Sequence, residues 1–268
     1  MIKVIKKMNL AVSIGNSNIR LELRAGTRVL FHKIVCCEDV DKIGRIALSA
    51  VSERSISDCI ISSVNPALND AVTNGLSRYV KNPPIFLKIG AGFKLDYSHY
   101  DFKRLGMDRA ICCEAAAEVV NPPFIVIDFG TATTINVVDQ RHRFIGGAII
   151  PGIQLSLFTL NTNTALLPAI PPKSDIPLIG GNTEECMLSG SVRGTALLID
   201  KFITEIWLNL GESGRVMITG GNAQYTKCYI QSGCTFDQNL IMDGIFSIHK
   251  RLCDQKNSAF AATPVNDS

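Results

Sequence analysis

Residues 124–139, FIVIDFGTATTINVVD, constrain the fold of this chain more than any other stretch. Five apolar residues surround one carboxylate, Asp128, and short runs rich in Ile and Val are typical of strands buried on both faces. Gly130 separates this run from a second β-branched run, and a glycine there permits a tight turn whose backbone comes close to a ligand. The pattern therefore predicts two strands joined by a turn that can contact a bound molecule.

The turn after Asp128 carries groups that suit a phosphate. Thr131, Thr133 and Thr134 supply hydroxyls, and successive turn amides that point the same way bind anions. Asp128 at the strand end could hold a metal ion or a water molecule beside that phosphate. An ordinary hairpin with a capping aspartate fits the same residues, so the turn alone leaves both interpretations open.

A similar stretch stands near the N-terminus, in residues 10–21 (LAVSIGNSNIRL). When Gly15 is aligned with Gly130, Ser13 falls opposite Asp128, and both copies run strand, small polar residue, apolar residue, glycine, polar run, strand. Two like hairpins in the two halves of one chain indicate a duplicated domain with a ligand between the copies. Clefts of this kind commonly bind nucleotides.

Composition places the chain among globular proteins. Its 268 residues can form one large domain or two, and 46% of them are hydrophobic. A formal net charge of +3 is too small to indicate a nucleic-acid surface, and no apolar run is long enough to span a bilayer. The basic N-terminus lacks the apolar run of a signal peptide, so we expect a cytoplasmic protein that binds neither nucleic acid nor membrane.

The cysteines do not show a metal or disulfide pattern. There are nine, including the adjacent pairs Cys36-Cys37 and Cys112-Cys113, with no C-x-x-C and no cysteine/histidine cluster at zinc spacing. We therefore expect reduced, mostly buried thiols, and neither a zinc site nor a disulfide framework.

The order of expected elements indicates an α/β fold in two halves. In the first half, beyond the hairpin, we expect strands at 28–35, 58–64 and 85–89, and helices at 39–52 (capped by Asp39), 66–79 and 109–120. In the second half, we expect strands at 124–128, 133–139, 143–148 and 215–219, and helices at 153–160, at 182–208 (one or two) and after Asn222. Residues 90–104 and 168–177 are expected to be loops. Such an order predicts mixed sheets with helices packed on them.

Three segments follow from this order. Asn121-Pro122-Pro123 ends a helix, so we place the domain boundary there. The expected domains are residues 1–121 and 122–256, and residues 257–268 are expected to be a disordered tail.

Two further stretches carry polar groups that could perform chemistry. Asp108 stands just before an expected helix, where an aspartate is commonly an N-cap but can also act as general base toward a substrate hydroxyl. Arg109 could clamp a carboxylate or a phosphate with two parallel hydrogen bonds. Residues 219–222 (TGGN) form a strand-to-helix turn on which a base or ribose could lie, although such a turn often means only a tight connection.

Six motifs in order resemble those of the type III pantothenate kinases, members of the actin and sugar-kinase-like superfamily. They are GMDR at 106–109, DFGTATT at 128–134, GGAIIPG at 146–152, NTALLP at 163–168, GGNTE at 180–184 and TGG at 219–221. The resemblance extends from about residue 10 to about residue 245, and six motifs in the family's order are highly specific.

The resemblance implies two duplicated actin-like (ribonuclease H-like) domains with ATP in the cleft between them, Mg²⁺, a monovalent cation (K⁺ or NH₄⁺) and a homodimer. The implied activity is ATP-dependent phosphorylation of pantothenate to 4'-phosphopantothenate, the first step of coenzyme A biosynthesis. By position, Asp108 would be the general base, Asp128 would hold the monovalent cation, and Thr183 would reach the pantothenate of the partner subunit. The implied ATP contacts are Ser13, Ile14, Gly15, Asn16, Ser17, Asn18, Ile19, Arg20 and Thr131, and the implied pantothenate contacts are Tyr100, Gly106, Met107, Asp108 and Arg109.

The chain departs from the family's pattern in two places. The family's first motif is D-x-G-N-[TS], whereas this chain has Ser13 in place of the aspartate, and a hydroxyl is a weaker ligand for magnesium. The family has a tyrosine followed by Asn-Pro before G-x-D-R; this chain lacks the Asn-Pro, and either His99 or Tyr100 takes the tyrosine's place. Three hypotheses follow: an active pantothenate kinase, a catalytically impaired homologue that acts as a ligand-binding or regulatory protein, and a kinase for another hydroxylated acid.

Overall fold

The computed structural model describes residues 7–48, 51 and 55–261, and these residues group into two compact units. The second unit consists of Leu95–Lys103 and Ala116–Leu240, and the other described residues form the first unit. The expected domains, 1–121 and 122–256, divide the chain differently, because the C-terminal helix groups with the first unit. In that helix Arg251 forms an ion pair with Glu114 at 2.7 Å and donates a hydrogen bond to the Gly92 carbonyl.

The regular elements follow one another in the order expected of an α/β chain. The strands are β1 (Met8–Ile14), β2 (Asn18–Ala25), β3 (Arg28–Cys36), β4 (Ile56–Ser63), β5 (Ile85–Phe86), β6 (Phe124–Phe129), β7 (Ala132–Val138), β8 (Phe144–Pro151), β9 (Arg215–Thr219) and β10 (Cys234–Phe236). The helices are α1 (Ile43–Leu48), α2 (Asn69–Leu76), α3 (Met107–Val119), α4 (Ile153–Thr162), α5 (Thr183–Leu188), α6 (Gly194–Leu210), α7 (Ala223–Thr226) and α8 (Leu240–Ala261). A π-helical turn, Ser189–Arg193, joins α5 to α6.

The two units contain mixed sheets of the same topology. The first sheet has the strand order β3-β2-β1-β4-β5, and the second has the order β8-β7-β6-β9-β10. In the first sheet β1 pairs antiparallel with β2 and parallel with β4. In the second sheet β6 pairs in the same way with β7 and β9. Ser13 lies beside Ser62 and Asp128 lies beside Thr219 in the corresponding strand pairs, so Ser13 and Asp128 occupy equivalent positions. The duplication predicted from the two hairpins is confirmed.

The apolar runs form the central strands, because a strand that is buried on both faces of its sheet needs apolar side chains on both sides. In the first unit Leu10, Val12 and Ile14 of β1 belong to a core that includes Ile43 of α1 and Val72 of α2. In the second unit the alternate residues Ile125, Ile127 and Phe129 of β6 pack into a core that includes Ile199 of α6. Each glycine turn therefore follows the central strand of its sheet, β1 or β6.

Several expected boundaries in the first unit are wrong. The first helix begins at Ile43, and Asp39 is not its cap but lies in a preceding 3-10 segment, where it accepts a hydrogen bond from Lys42. Residues 49–50 and 52 of that expected helix lie outside the described residues. Pro66 opens a 3-10 turn, so α2 starts only at Asn69. The fifth strand ends at Phe86, and α3 starts two residues earlier than expected, at Met107.

The C-terminal region contains two elements that the sequence patterns did not predict, β10 and α8. The expected disordered tail from residue 257 is wrong as far as Ala261, because α8 continues to that residue; residues 262–268 lie outside the described residues. The buried residues Ile241, Ile245 and Ile248 follow a helical spacing that would have revealed α8. Among the described residues, no helix combines the length and the apolar character needed to cross a membrane.

Candidate functional site

The glycine turn of the first unit joins β1 to β2 and exposes polar groups. The Gly15 amide donates to the Asn18 carbonyl at 2.9 Å, which closes the turn. The Cys37 amide donates to the Ser17 carbonyl at 3.0 Å and ties the turn to the segment after β3. Asn16, Ser17 and Asn18 are the exposed residues of this turn.

Not all of the residues expected to contact ATP present their side chains at this turn. Ile14 and Ile19 are fully buried in the core of the first unit, so only their backbone groups can serve a ligand. Gly15 and Arg20 are half-buried. The expected phosphate contact in this unit is therefore mainly a backbone contact.

Ser13 sits at the end of β1, where the family's motif has an aspartate. Its side chain is buried, and its neighbour on β4 at the same level is another hydroxyl residue, Ser62. The nearby carboxylate of Glu22 is engaged elsewhere, because it accepts a hydrogen bond from Arg24 at 2.6 Å and lies 3.0 Å from His32 Nδ1. This position of the first unit therefore offers neutral hydroxyl groups.

The glycine turn of the second unit is held by hydrogen bonds to three successive carbonyls. The Asn222 amide donates to the Phe129 carbonyl at 3.0 Å, and its side-chain Nδ2 donates to the Gly130 carbonyl at 2.9 Å. The Gly152 amide donates to the Thr131 carbonyl at 3.1 Å. The TGGN turn and the GGAIIPG motif therefore brace the turn that follows Asp128, a role that the sequence patterns did not predict.

Two glycines permit this close approach. A Cβ on Gly152 would lie 2.4 Å from the Thr131 carbonyl oxygen. Gly220 has a φ of +95°, and a Cβ there would lie 2.4 Å from Asp128 Oδ1 and 2.6 Å from the Phe129 backbone. Real atoms do not approach so closely, and few side chains adopt that φ, so both positions require glycine.

An unpaired hydroxyl lies beside Asp128. Thr219 Oγ1 is buried and has no hydrogen-bond partner among the described residues, and Thr219 faces the same side of the sheet as its register partner Asp128. A buried polar atom without a partner is costly, which marks it as a group awaiting a ligand or water. A carboxylate and a hydroxyl oxygen together suit a hard cation.

Asp108 is the second residue of α3 and not its N-cap. Its Oδ1 accepts a hydrogen bond from the Arg109 amide at 2.8 Å, and a Cβ on Gly106 would lie 2.6 Å from that oxygen. Burial raises the pKa of Asp108, although the Arg109 amide and guanidinium oppose the shift. Arg109 is itself buried, and Met107 is half-buried. A carboxylate with a raised pKa is a better proton acceptor, as a general base must be.

The structure distinguishes Tyr100 from His99. The Tyr100 ring packs edge-on against Phe144, with ring centroids 5.1 Å apart, and lies against Gly146 of the GGAIIPG motif. His99 is exposed and lies 3.7 Å from Asp96, an exposed carboxylate. Of the two residues, Tyr100 is the one that packs against a motif residue, Gly146. This packing favours Tyr100 as the residue that takes the family tyrosine's place.

Two other expected contacts are exposed in the second unit. Thr131 lies in the braced turn, and Thr183 is the first residue of α5. That helix is capped by Asn182, whose side chain accepts a hydrogen bond from the Glu185 amide at 2.9 Å. The cap fixes the start of α5 and with it the position of Thr183.

Replacing Gly220 by alanine tests the bracing of the second turn. The Gly220→Ala variant combines an unfavourable φ with overlap on Asp128 and Phe129, and we expect it to lose at least about 2 kcal/mol of unfolding free energy. Gly221→Ala is the matched control, because a Cβ there meets nothing within 4 Å and should change the value by less than about 0.5 kcal/mol. Urea denaturation measures both; equal stability of the two variants would contradict the bracing.

Comparisons with known proteins identify the family. The family model described as type III pantothenate kinase matches residues 9–205. The chain is 33% identical over 254 residues to the type III pantothenate kinase of Brevibacillus brevis, which covers 91% of this chain and 99% of that protein. It is 35% identical over 211 residues to that of Rhodospirillum rubrum, covering 77% of this chain and 80% of the relative.

Similar solved structures show the fold. MreB5 of Spiroplasma citri bound to AMPPNP has a TM-score of 0.53 at 9% identity, covering 94% of this chain and 99% of that one. A Baf family protein from Campylobacter jejuni has a TM-score of 0.61 at 19% identity, covering 92% and 99%. The fold is the duplicated actin-like one, and the chain belongs to the type III pantothenate kinase family.

Proposed function

We propose that this chain phosphorylates pantothenate with ATP and so forms 4'-phosphopantothenate, the first step of coenzyme A biosynthesis. Family membership supports the reaction, and the braced turn after Asp128 is the observation that carries it. Phosphoryl transfer depends mostly on positioning and on neutralising charge. A turn whose three carbonyls are already bonded keeps its shape without a ligand, so little ordering is needed when ATP binds.

The phosphates of ATP would lie against the two glycine turns. In the first unit the exposed backbone of Asn16, Ser17 and Asn18 would contact them, and in the second unit Thr131 would do so. Backbone amides in turns bind anions without a charged side chain. Arg20, half-buried on β2, would contribute the positive charge.

The two equivalent strand ends would serve different ions. Asp128 and the unpaired hydroxyl of Thr219 offer oxygen ligands, which fit a monovalent cation, K⁺ or NH₄⁺. Ser13 and Ser62 offer neutral hydroxyls, which are too weak to form a magnesium site by themselves. Mg²⁺ would therefore arrive with ATP and be held mainly by the phosphate oxygens, with Ser13 as an auxiliary contact.

Asp108 would accept the proton of the pantothenate hydroxyl as that oxygen attacks the γ-phosphorus. Its raised pKa suits this role, and the Arg109 amide orients one carboxylate oxygen. The proposed pantothenate contacts are Gly106, Met107, Arg109 and Tyr100. Arg109 would pair with the substrate's carboxylate.

A kinase assay with and without Ser13→Asp tests the activity. We expect the unmutated protein to phosphorylate pantothenate in ATP, Mg²⁺ and K⁺ or NH₄⁺. The added carboxylate should lower the Mg²⁺ concentration for half-maximal rate by about tenfold, which corresponds to about 1.4 kcal/mol. Ser77→Asp, which adds the same charge at an exposed site of the first unit, should leave this Mg²⁺ concentration unchanged.

Other results of that assay would support the other hypotheses. If the unmutated protein shows no turnover at millimolar ATP and Ser13→Asp restores it, the chain is a catalytically impaired homologue. If a screen of small hydroxylated acids shows another substrate preferred over pantothenate, the chain is a kinase of different specificity.

Asp108→Asn tests the general base. We expect kcat to fall about 10²- to 10⁴-fold while the affinity for ATP stays the same. Asp70→Asn is the matched control, because Asp70 is also the second residue of a helix but is exposed. Because burial raises the pKa of Asp108, activity should be lost on acidification at a higher pH than for an ordinary aspartate, as the carboxylate is protonated. An unchanged kcat in Asp108→Asn would exclude this role.

We further propose that two copies form a homodimer through the second unit. Most of the exposed large apolar side chains of the described residues lie in this unit; they include Ile149, Phe158, Leu166, Ile179 and Leu208, with Leu166 90% exposed and Ile179 87% exposed. Contiguous exposed apolar patches mark interaction sites, and these side chains are the candidates for such a patch. Thr183 follows Ile179 closely in the chain, so the interface would bring it toward the partner's pantothenate.

Sedimentation equilibrium tests the dimer. We expect a dimer at micromolar concentration, and Ile179→Asp should shift it toward monomer because a charge would be buried in the interface. Ile34→Asp, at an exposed apolar residue of the first unit, is the control and should leave the dimer intact. A monomeric unmutated protein would rule the proposal out.

A further inference from the structure

Three metal-ligating side chains meet in the first unit, in residues that the proposed kinase site does not use. Asp58 lies near the start of β4, and His249 and Cys253 lie one helical turn apart on α8. Their ligand atoms all lie within 4.8 Å of one another. Sequence patterns missed this cluster: His249 and Cys253 stand four residues apart, but Asp58 is far from both along the chain.

The distances match those between the ligands of one small cation. His249 Nε2 lies 3.5 Å from Asp58 Oδ2 and 3.4 Å from Cys253 Sγ. In a tetrahedral zinc site with ordinary bond lengths, a nitrogen lies about 3.4 Å from a carboxylate oxygen and about 3.6 Å from a thiolate sulfur. Both contacts of His249 therefore have the spacing that a bound ion requires, and the ligand atoms of Asp58 and Cys253 lie within 4.8 Å of each other.

The geometry differs from that of a catalytic triad. In a triad the carboxylate and the nucleophile contact opposite nitrogens of the imidazole ring. Here Asp58 and Cys253 both face Nε2, which can donate only one hydrogen. Hydrogen bonding can satisfy only one of these contacts, whereas an ion at their common centre satisfies all three.

The surroundings also suit an ion. The Asn82 side chain donates to Asp58 Oδ1 at 3.1 Å and leaves Oδ2 directed at His249, as supporting residues do around metal ligands. His249 is only 5% exposed, whereas Asp58 and Cys253 are half-buried. A cavity of about 280 Å³, which Lys88 and Lys256 also line, lies beside His249 and Cys253 and gives an ion access to these two ligands.

We propose that Asp58, His249 and Cys253 form a binding site for a zinc-type divalent ion. A thiolate together with an imidazole selects such an ion over magnesium or calcium. The ion would fasten α8 to β4, whose other end carries Ser62 beside Ser13. Its role would be to stabilise the first unit, separately from phosphoryl transfer.

Cobalt and zinc binding to the full chain tests the proposal. Protein freed of metal by a chelator, which is then removed, is titrated with Co²⁺ to detect the thiolate-to-cobalt charge-transfer band, and then with Zn²⁺ to displace it. We expect one site per chain and a Tm that rises with Zn²⁺. In Cys253→Ser the band should disappear and Zn²⁺ affinity should fall at least about tenfold.

The control is Cys228→Ser, which removes an exposed thiol of the second unit and should keep the band and the Tm response. Asp58→Asn provides a second variant should Cys253→Ser fail to fold; it retains the thiol but should also weaken Zn²⁺ binding. The proposal is overturned if metal binding is absent from the unmutated protein, or if it is the same in these variants as in the control.

Discussion

The hydrogen bonds from Asn222 to the turn after Asp128 are the constraint on which the second unit's site depends. They join the end of β9 to the end of β6, and with Gly152 they occupy the carbonyls of Phe129, Gly130 and Thr131. The close approach of these segments requires Gly220, which lies directly against Asp128, to adopt a positive φ. Three motifs separated in sequence therefore act as one rigid element, which explains why glycine recurs in each of them.

The same strand order in both units makes their differences informative. At the equivalent strand ends the first unit has Ser13 beside Ser62, and the second has Asp128 beside Thr219. One pair is neutral and the other carries a charge, so the two ends of the repeat cannot serve the same ion equally well. Glu22 does not make up the difference in the first unit, since Arg24 and His32 already engage it. The departure at Ser13 thus bears on the proposed magnesium contact and leaves the proposed cation site at Asp128 unchanged.

The sequence predicted the central strands and the duplication well, because apolar runs interrupted by glycine specify both a buried strand and its turn. It predicted helix starts less well: Asp39 lies within a 3-10 segment and Pro66 begins another, and the helical spacing of apolar residues does not distinguish such segments from α-helix. Sequence patterns left His99 and Tyr100 as alternatives, and the packing of Tyr100 against Phe144 and Gly146, which favours Tyr100, is visible only in the structure. The Asp58, His249 and Cys253 cluster depends on a contact between β4 and α8, so the local spacing of His249 and Cys253 alone could not reveal it.

The central proposal is that ATP binds through its phosphates to the residues of the glycine turns. A crystal structure of the chain with a non-hydrolysable ATP analogue and Mg²⁺ tests it most directly. We predict phosphate oxygens within hydrogen-bonding distance, about 3 Å, of backbone amides in the turn after Gly15 and of Thr131 in the turn after Gly130. An analogue bound elsewhere, or phosphates that contact only one of the two turns, would contradict the account.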